Sequence, residues 1–115
     1  MALLRASGQH VNQAYALHGV MDGATATGVA HGALLVALVD ATLGRDEPAL
    51  ERARNAVRIA VGSEALHDAS AVIGGFDGIT RIADAIGIPL EPAKAEQTAD
   101  FFAALQIDRF RASKV

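Results

Sequence analysis

Two histidines are the side chains of this sequence best suited to chemistry. The imidazole rings of His18 and His31 can gain or lose a proton near neutral pH, as a general acid or base must. If the helices that carry them are adjacent, both rings line one pocket. The catalytic hypothesis is therefore proton transfer by His18 and His31 on a small molecule that is polar or bears a carbonyl group. The structural alternative makes His18 a partly buried residue at a helix end and His31 a core or interface residue.

Glu64 and His67 show the Glu-x-x-His spacing of the di-metal ligands in helical bundles. A di-metal centre needs a second such motif and further carboxylates, and the sequence offers neither. The position of Glu64 near the start of a predicted helix is better explained by the helix dipole, which favours negative charge there. We therefore expect no metal and no cofactor.

Arg81 lies between Asp77 and Asp84 at helical spacing. This set could bind an anionic ligand. The favoured interpretation is structural: Arg81 connects the long helix to its neighbours or to another subunit, where an exposed ion pair contributes little and a buried one mainly fixes geometry.

A long helical pattern from Ser63 to Gly87 dominates the chain. Its small and large apolar residues recur at steps of four and three, which places them on one stripe of an α-helix: Ala65, Ala69, Val72, Phe76, Ile79, Ala83 and Ile86. Ser63 is the predicted N-cap and Gly87 the predicted stop. Gly74 and Gly75 each cost about 1 kcal/mol relative to alanine. Their presence predicts either a bend in the helix or the close approach of another backbone.

Four further helical segments complete an all-α prediction of about five helices. A first segment covers much of 3–26 and breaks near Gly23 to Gly28, where Thr25 or Thr27 could cap the next helix. The others are predicted over 29–43, over 48–61 after an Asp46 N-cap, and from Pro92 to about Gln106. The residues after 106 are predicted to form a docking tail.

Composition predicts one domain over residues 1–115 that works as a subunit of an oligomer. The chain has 115 residues, of which 51% are hydrophobic but only 4% aromatic, and much of the apolar content is alanine. Alanine buries little area, so a core of alanines stabilises less than one of leucine and phenylalanine. Burial between subunits compensates for that deficit. The segment 29–43 is apolar on nearly every side, as expected of a buried or interfacial helix.

Charge and cysteine content exclude several classes of partner. The net charge is −3 and the basic residues are scattered, so we expect no nucleic acid. The absence of cysteine excludes thiol chemistry and fits a cytoplasmic location. The amino terminus lacks the apolar run of a signal peptide, and the low-charge stretch Ala24–Val39 is too short and alanine-rich for a membrane span. We therefore expect no membrane partner.

The stretch FDGITRIADAIGIPLE, Phe76 to Glu91, resembles a segment of the alkylhydroperoxidase-D-like, or carboxymuconolactone decarboxylase-like, proteins. That family has Phe-Asn, then Arg-(Ile/Leu/Val)-Ala-Asp, then a Gly-(Ile/Val)-x-Leu exit. The pattern is matched from Arg81 to Asp84 and from Gly87 to Leu90, while Asp77 replaces the usual asparagine. The resemblance extends over roughly 33–91, and it implies an all-α subunit of a homo-oligomer.

The redox members of the family carry a Cys-x-x-Cys with a histidine four residues later and an upstream glutamate. His18 is the counterpart of that histidine, which places Val11 and Ala14 at the cysteine positions. No thiolate can form there, so the resemblance implies a member without dithiol peroxide chemistry.

Three functions therefore stand as hypotheses. The first is a cysteine-less, homo-oligomeric relative of that family with unassigned activity, in which His18 and His31 act on a small-molecule ligand. The second is a non-catalytic interaction module whose second and fourth helices form an oligomer interface. The third, with least support, is a redox protein whose thiols come from a partner chain.

Overall fold

The computed structural model describes residues 15–16, 18–22, 26–89 and 92–106. Every regular element in these ranges is an α-helix, which confirms the all-α prediction of about five helices. The elements are α1 (His18–Asp22), α2 (Gly32–Leu43), α3 (Glu47–Val61), α4 (Ser63–Ile86) and α5 (Pro92–Ala104). Most of the predicted first segment and the predicted tail after residue 106 lie outside the described residues, as do Val11 and Ala14.

The core lies between α2, α3 and α4, which pack on one another. Leu38 of α2 and Val57 of α3 are exposed by only 2% and 1%, and Ala53 of α3 completes the buried cluster. Partly buried apolar side chains surround it, all from the same three helices: Leu34, Ala41, Leu50, Val61, Leu66, Ala69 and Ile73. Among the described residues this cluster holds only two large side chains, Leu38 and Val57.

Helix α2 begins three residues later than the sequence predicted. The side chain of Thr27 is buried, and its Oγ1 accepts the N–H of Val29 over 3.2 Å. This hydrogen bond closes a turn before the helix. Thr27 therefore caps this turn and not, as the sequence had predicted, α2. His31, predicted to lie inside the helix, is instead its N-cap, with a left-handed backbone (φ 55°, ψ 20°) and no capping hydrogen bond from its side chain.

The predicted start of α3 is confirmed, whereas the predicted cap of α4 is wrong by one residue. Asp46 accepts the N–H of Ala49 over 3.0 Å, as an N-cap aspartate does. Ser63 is already the first residue of α4, and the N-cap is Gly62 with φ 93° and no side-chain cap. Only glycine adopts that backbone without strain, and it lets α4 follow α3 with a single residue between them.

Helix α4 is one continuous helix of 24 residues. Gly87 ends it in the left-handed conformation, and Ile88 donates its N–H to the carbonyl of Ala83 over 3.0 Å, the long hydrogen bond of a Schellman ending. A Cβ added at Gly74 or Gly75 would meet no atom within 4 Å. The close backbone approach that these glycines predicted is therefore not made within the described part of the chain. No helix in the described ranges has the length and apolar character needed to cross a bilayer.

Candidate functional site

His18 is the first residue of the five-residue helix α1, and its side chain is exposed. The N–H of Ala16, just before this helix, donates to the carbonyl of Thr27 over 2.9 Å. This hydrogen bond connects the segment just before α1 to the turn that precedes α2. The side chain of His18 is open to solvent rather than partly buried.

His31 is also exposed within the subunit, so it does not occupy a core position, and the interface position stays a prediction. It stands at the amino-terminal end of α2, in a backbone conformation that side-chain-bearing residues adopt infrequently, although histidine is among those enriched there. Among the described residues, neither His18 nor His31 is paired with a carboxylate. The structure therefore does not supply the oriented acid–base pair that efficient proton transfer uses.

Arg81 and Asp77 form the ion pair that the sequence predicted, on α4. The Nε of Arg81 donates to Oδ2 of Asp77 over 2.9 Å, one helical turn away. This hydrogen bond, reinforced by the charge of Asp77, raises the pKa of Arg81. The guanidinium is already engaged and open to solvent, which favours the structural interpretation over an anion site.

Glu64 and His67 are both exposed on the first turns of α4. Within the described part of the chain, no three histidine, aspartate or glutamate side chains come together as a metal site would require.

An open groove of about 550 Å³ runs between α2 and α3. Its walls are mostly alanine, and its polar members are Asp40, Asp46 and Arg52; the other lining residues are Ala37, Ala41, Gly44, Ala49, Ala53 and Ala56. Asp46 is already occupied in capping α3, and Asp40 and Arg52 are exposed. Neither His18 nor His31 lines this groove.

A second, more apolar groove of about 350 Å³ lies between α2 and α4. Val39 and Leu43 form its α2 side, and Val72, Ile73 and Phe76 form most of its α4 side, with Asp77 and Thr80 at its edge. It too has neither histidine in its lining. Its apolar walls suit another apolar surface better than a polar substrate.

Helix α4 exposes the largest apolar surface of the described chain. Five large side chains on it are between 58% and 69% exposed, namely Val72, Phe76, Ile79, Ile82 and Ile86. None of the 24 residues of α4 is buried. Exposed apolar patches are found more often on contact surfaces than on solvated helix faces.

The apolar stripe predicted for α4 lies on one side of the helix, but its exposure was not predicted. The core is contacted instead by Leu66, Ala69 and Ile73, and only Ala69 belongs to the predicted stripe. Apolar residues cover more of the circumference of α4 than two neighbouring helices can bury. A second spacing in the same stretch, Val72, Gly75, Ile79, Ile82 and Ile86, was the signal that could have revealed an outer contact surface.

Comparison of the chain with protein-family models, with curated proteins and with solved structures finds no match.

Proposed function

We propose that this protein is a non-catalytic helical interaction module that acts through the apolar side of α4. The observation that carries the proposal is the exposure of Val72, Phe76, Ile79, Ile82 and Ile86 on a helix with no buried residue. Hydrophobic stabilisation grows with the apolar area removed from water, at about 25 cal/mol per Å². Covering this side of α4 with another polypeptide would therefore release a substantial free energy.

The small size of the core supports the same proposal. In the described part of the chain, the fully buried large side chains are Leu38 and Val57. A subunit that buries so little internally gains much of its stability by contact with a partner, as obligate assemblies do. The resemblance to the alkylhydroperoxidase-D-like family supports a function carried by contact between chains, because that family resemblance implies a homo-oligomeric subunit.

The acid–base hypothesis has less support. His18 and His31 are exposed, neither contributes to the lining of the two grooves, and neither has a carboxylate partner among the described residues. A general base is usually oriented by a second group and shielded from bulk water. We therefore place the function at α4 and not at the histidines.

Native mass spectrometry of the purified protein tests the proposal. We expect each chain to be bound to another polypeptide and to retain no small molecule. Ile79→Glu should abolish the complex, because a carboxylate cannot be buried in an apolar contact without large cost. Ile59→Glu is the matched control, since Ile59 of α3 is 79% exposed and lies outside the apolar side of α4.

Two results would refute this function. A monomeric wild-type protein with nothing bound would remove the need for a partner. A reproducible small molecule, lost in His18→Ala or His31→Ala but kept in Ile79→Glu, would establish the acid–base hypothesis in its place.

A further inference from the structure

Five positions of α4 form a repeat that is suited to pairing with another helix. Val72, Gly75, Ile79, Ile82 and Ile86 follow one another at steps of three and four residues, the spacing of the contact positions in a coiled coil. We call these five residues the seam. All five are exposed, and they lie away from the Leu66, Ala69 and Ile73 side that packs on α2 and α3.

We propose that the seam binds the seam of a second copy of this chain, with the two α4 helices antiparallel. This inference rests on the proposed function and names its partner. In the antiparallel register centred near residue 77, four of the five seam residues meet a seam residue, and Ile86 meets the partner subunit's Asp68. Val72 lies opposite Ile82 of the partner subunit, and Gly75 lies opposite Ile79 of the partner subunit, each contact being repeated by the two-fold axis.

Gly75 is the residue that makes the seam complementary to itself. Among the described residues nothing lies within 4 Å of a Cβ added at this position, so no packing in that part of the chain requires glycine there. In the antiparallel pair Gly75 leaves a space that the partner subunit's Ile79 fills, as small and large residues alternate across well-packed helices. Glycine also lets two helix backbones approach closely.

Asp68 selects the antiparallel arrangement over the parallel one. It is exposed and lies one step before Val72 in the same repeat. Parallel helices in register would place the two Asp68 carboxylates opposite each other and Gly75 opposite Gly75, which combines like-charge repulsion with a void. Antiparallel helices place Asp68 at the rim of the contact, beside the partner subunit's Ile86, and they also align the two helix dipoles favourably.

The exposed area is adequate for a stable pair. The exposed parts of the five large apolar side chains of α4 amount to on the order of 500 Å² per subunit. Leu43 and Ile88, which are also more than half exposed, extend the patch at its edges. A standard protein interface buries about 800 Å² per partner, so these apolar side chains supply more than half of the area that a stable pair needs.

Cysteine cross-linking distinguishes the arrangements, because the chain has no cysteine of its own. The double variant Val72→Cys/Ile82→Cys should form a covalent dimer under mild oxidation. The thiol introduced at position 72 of one chain faces the thiol introduced at position 82 of the other. The two introduced thiols of one chain are separated by about 15 Å along the helix, too far for a disulfide within the chain. Each single variant, Val72→Cys or Ile82→Cys, should stay uncrosslinked.

Ile59→Cys on α3 measures the background of random collisions, and circular dichroism verifies that each variant is helical. Cross-linking of Val72→Cys alone would overturn the antiparallel pair in favour of a parallel one. A homo-oligomer in which none of these variants cross-links above background would overturn the seam contact and leave the proposed function standing. A complex with a different polypeptide would overturn only the identity of the partner, whereas a monomer would overturn both proposals.

Gly74 and Gly75 provide a second test with a matched control. Both are exposed and meet no atom of the described chain within 4 Å of an added Cβ, but only Gly75 belongs to the seam. Gly75→Ala should raise the dimer dissociation constant by about tenfold or more, because the added methyl meets the partner subunit's Ile79. Gly74→Ala should leave that constant unchanged. Equal dissociation constants for the two variants, measured by analytical ultracentrifugation, would contradict the inference.

Discussion

Gly32 and Thr27 are in contact across the turn that starts α2. A Cβ at Gly32 would collide with the Oγ1 of Thr27, whose side chain is buried and already accepts the N–H of Val29. Thr27 cannot move aside without breaking that hydrogen bond. The glycine is therefore required here by packing, although alanine is the better residue for a helix.

Gly32→Ala should consequently destabilise the protein by about 1–3 kcal/mol, the usual cost of overpacking. The measurement is urea unfolding followed by circular dichroism. In a Thr27→Ala background the obstructing hydroxyl is absent, so the same substitution should cost clearly less. Additive effects of the two substitutions would show that the collision between Gly32 and Thr27 has no energetic consequence.

Leu38→Ala should have a large effect on stability. Leu38 is 2% exposed and belongs to the buried cluster with Ala53 and Val57, so its truncation leaves a cavity and should cost about 2–5 kcal/mol. Ile59→Ala is the control, because a side chain this exposed should change the free energy of unfolding by no more than about 0.5 kcal/mol. Similar losses for the two variants in urea unfolding would place the core elsewhere.

Asp46→Ala should cost about 1 kcal/mol, because the N–H of Ala49 loses its capping oxygen. Asp46→Asn keeps an acceptor oxygen at the same place and should retain most of the stability. Thermal unfolding of the three proteins at one concentration would test this, and an equal loss in both variants would show that the charge of Asp46 matters and the cap does not.

The capping residues and the apolar periodicity of this sequence predicted the helices well, because both signals are local. Asp46, Gly62 and Gly87 each end or start a helix close to the predicted point, since the backbone there needs a cap or a positive φ. The start of α2 was less predictable. Thr27 caps a turn and not the helix, and its side chain is buried, which a capping signal in the sequence does not reveal.

The sequence did not predict which side of α4 packs against α2 and α3. The sequence shows a broad apolar surface on this helix, and periodicity alone cannot say which part of it meets α2 and α3. The structure gives that role to Leu66, Ala69 and Ile73 and leaves Val72, Ile79 and Ile86 exposed. A hydrophobic pattern specifies that a face is buried, but not whether the neighbour belongs to the same subunit.

The backbone at His31 gives a last prediction, which also bears on function. His31 has φ 55° without a capping hydrogen bond from its side chain, a conformation that costs a side-chain-bearing residue roughly 1 kcal/mol and costs glycine little. His31→Gly should therefore stabilise the protein by up to about 1 kcal/mol in urea unfolding. His18→Ala, at an exposed site, should change the stability by no more than about 0.5 kcal/mol.

If His31→Gly is more stable and its complex is unchanged in native mass spectra, the imidazole has no part in assembly. A destabilised His31→Gly variant would mean that the ring makes a stabilising contact. Loss of a bound small molecule in that variant would support the acid–base hypothesis for His31.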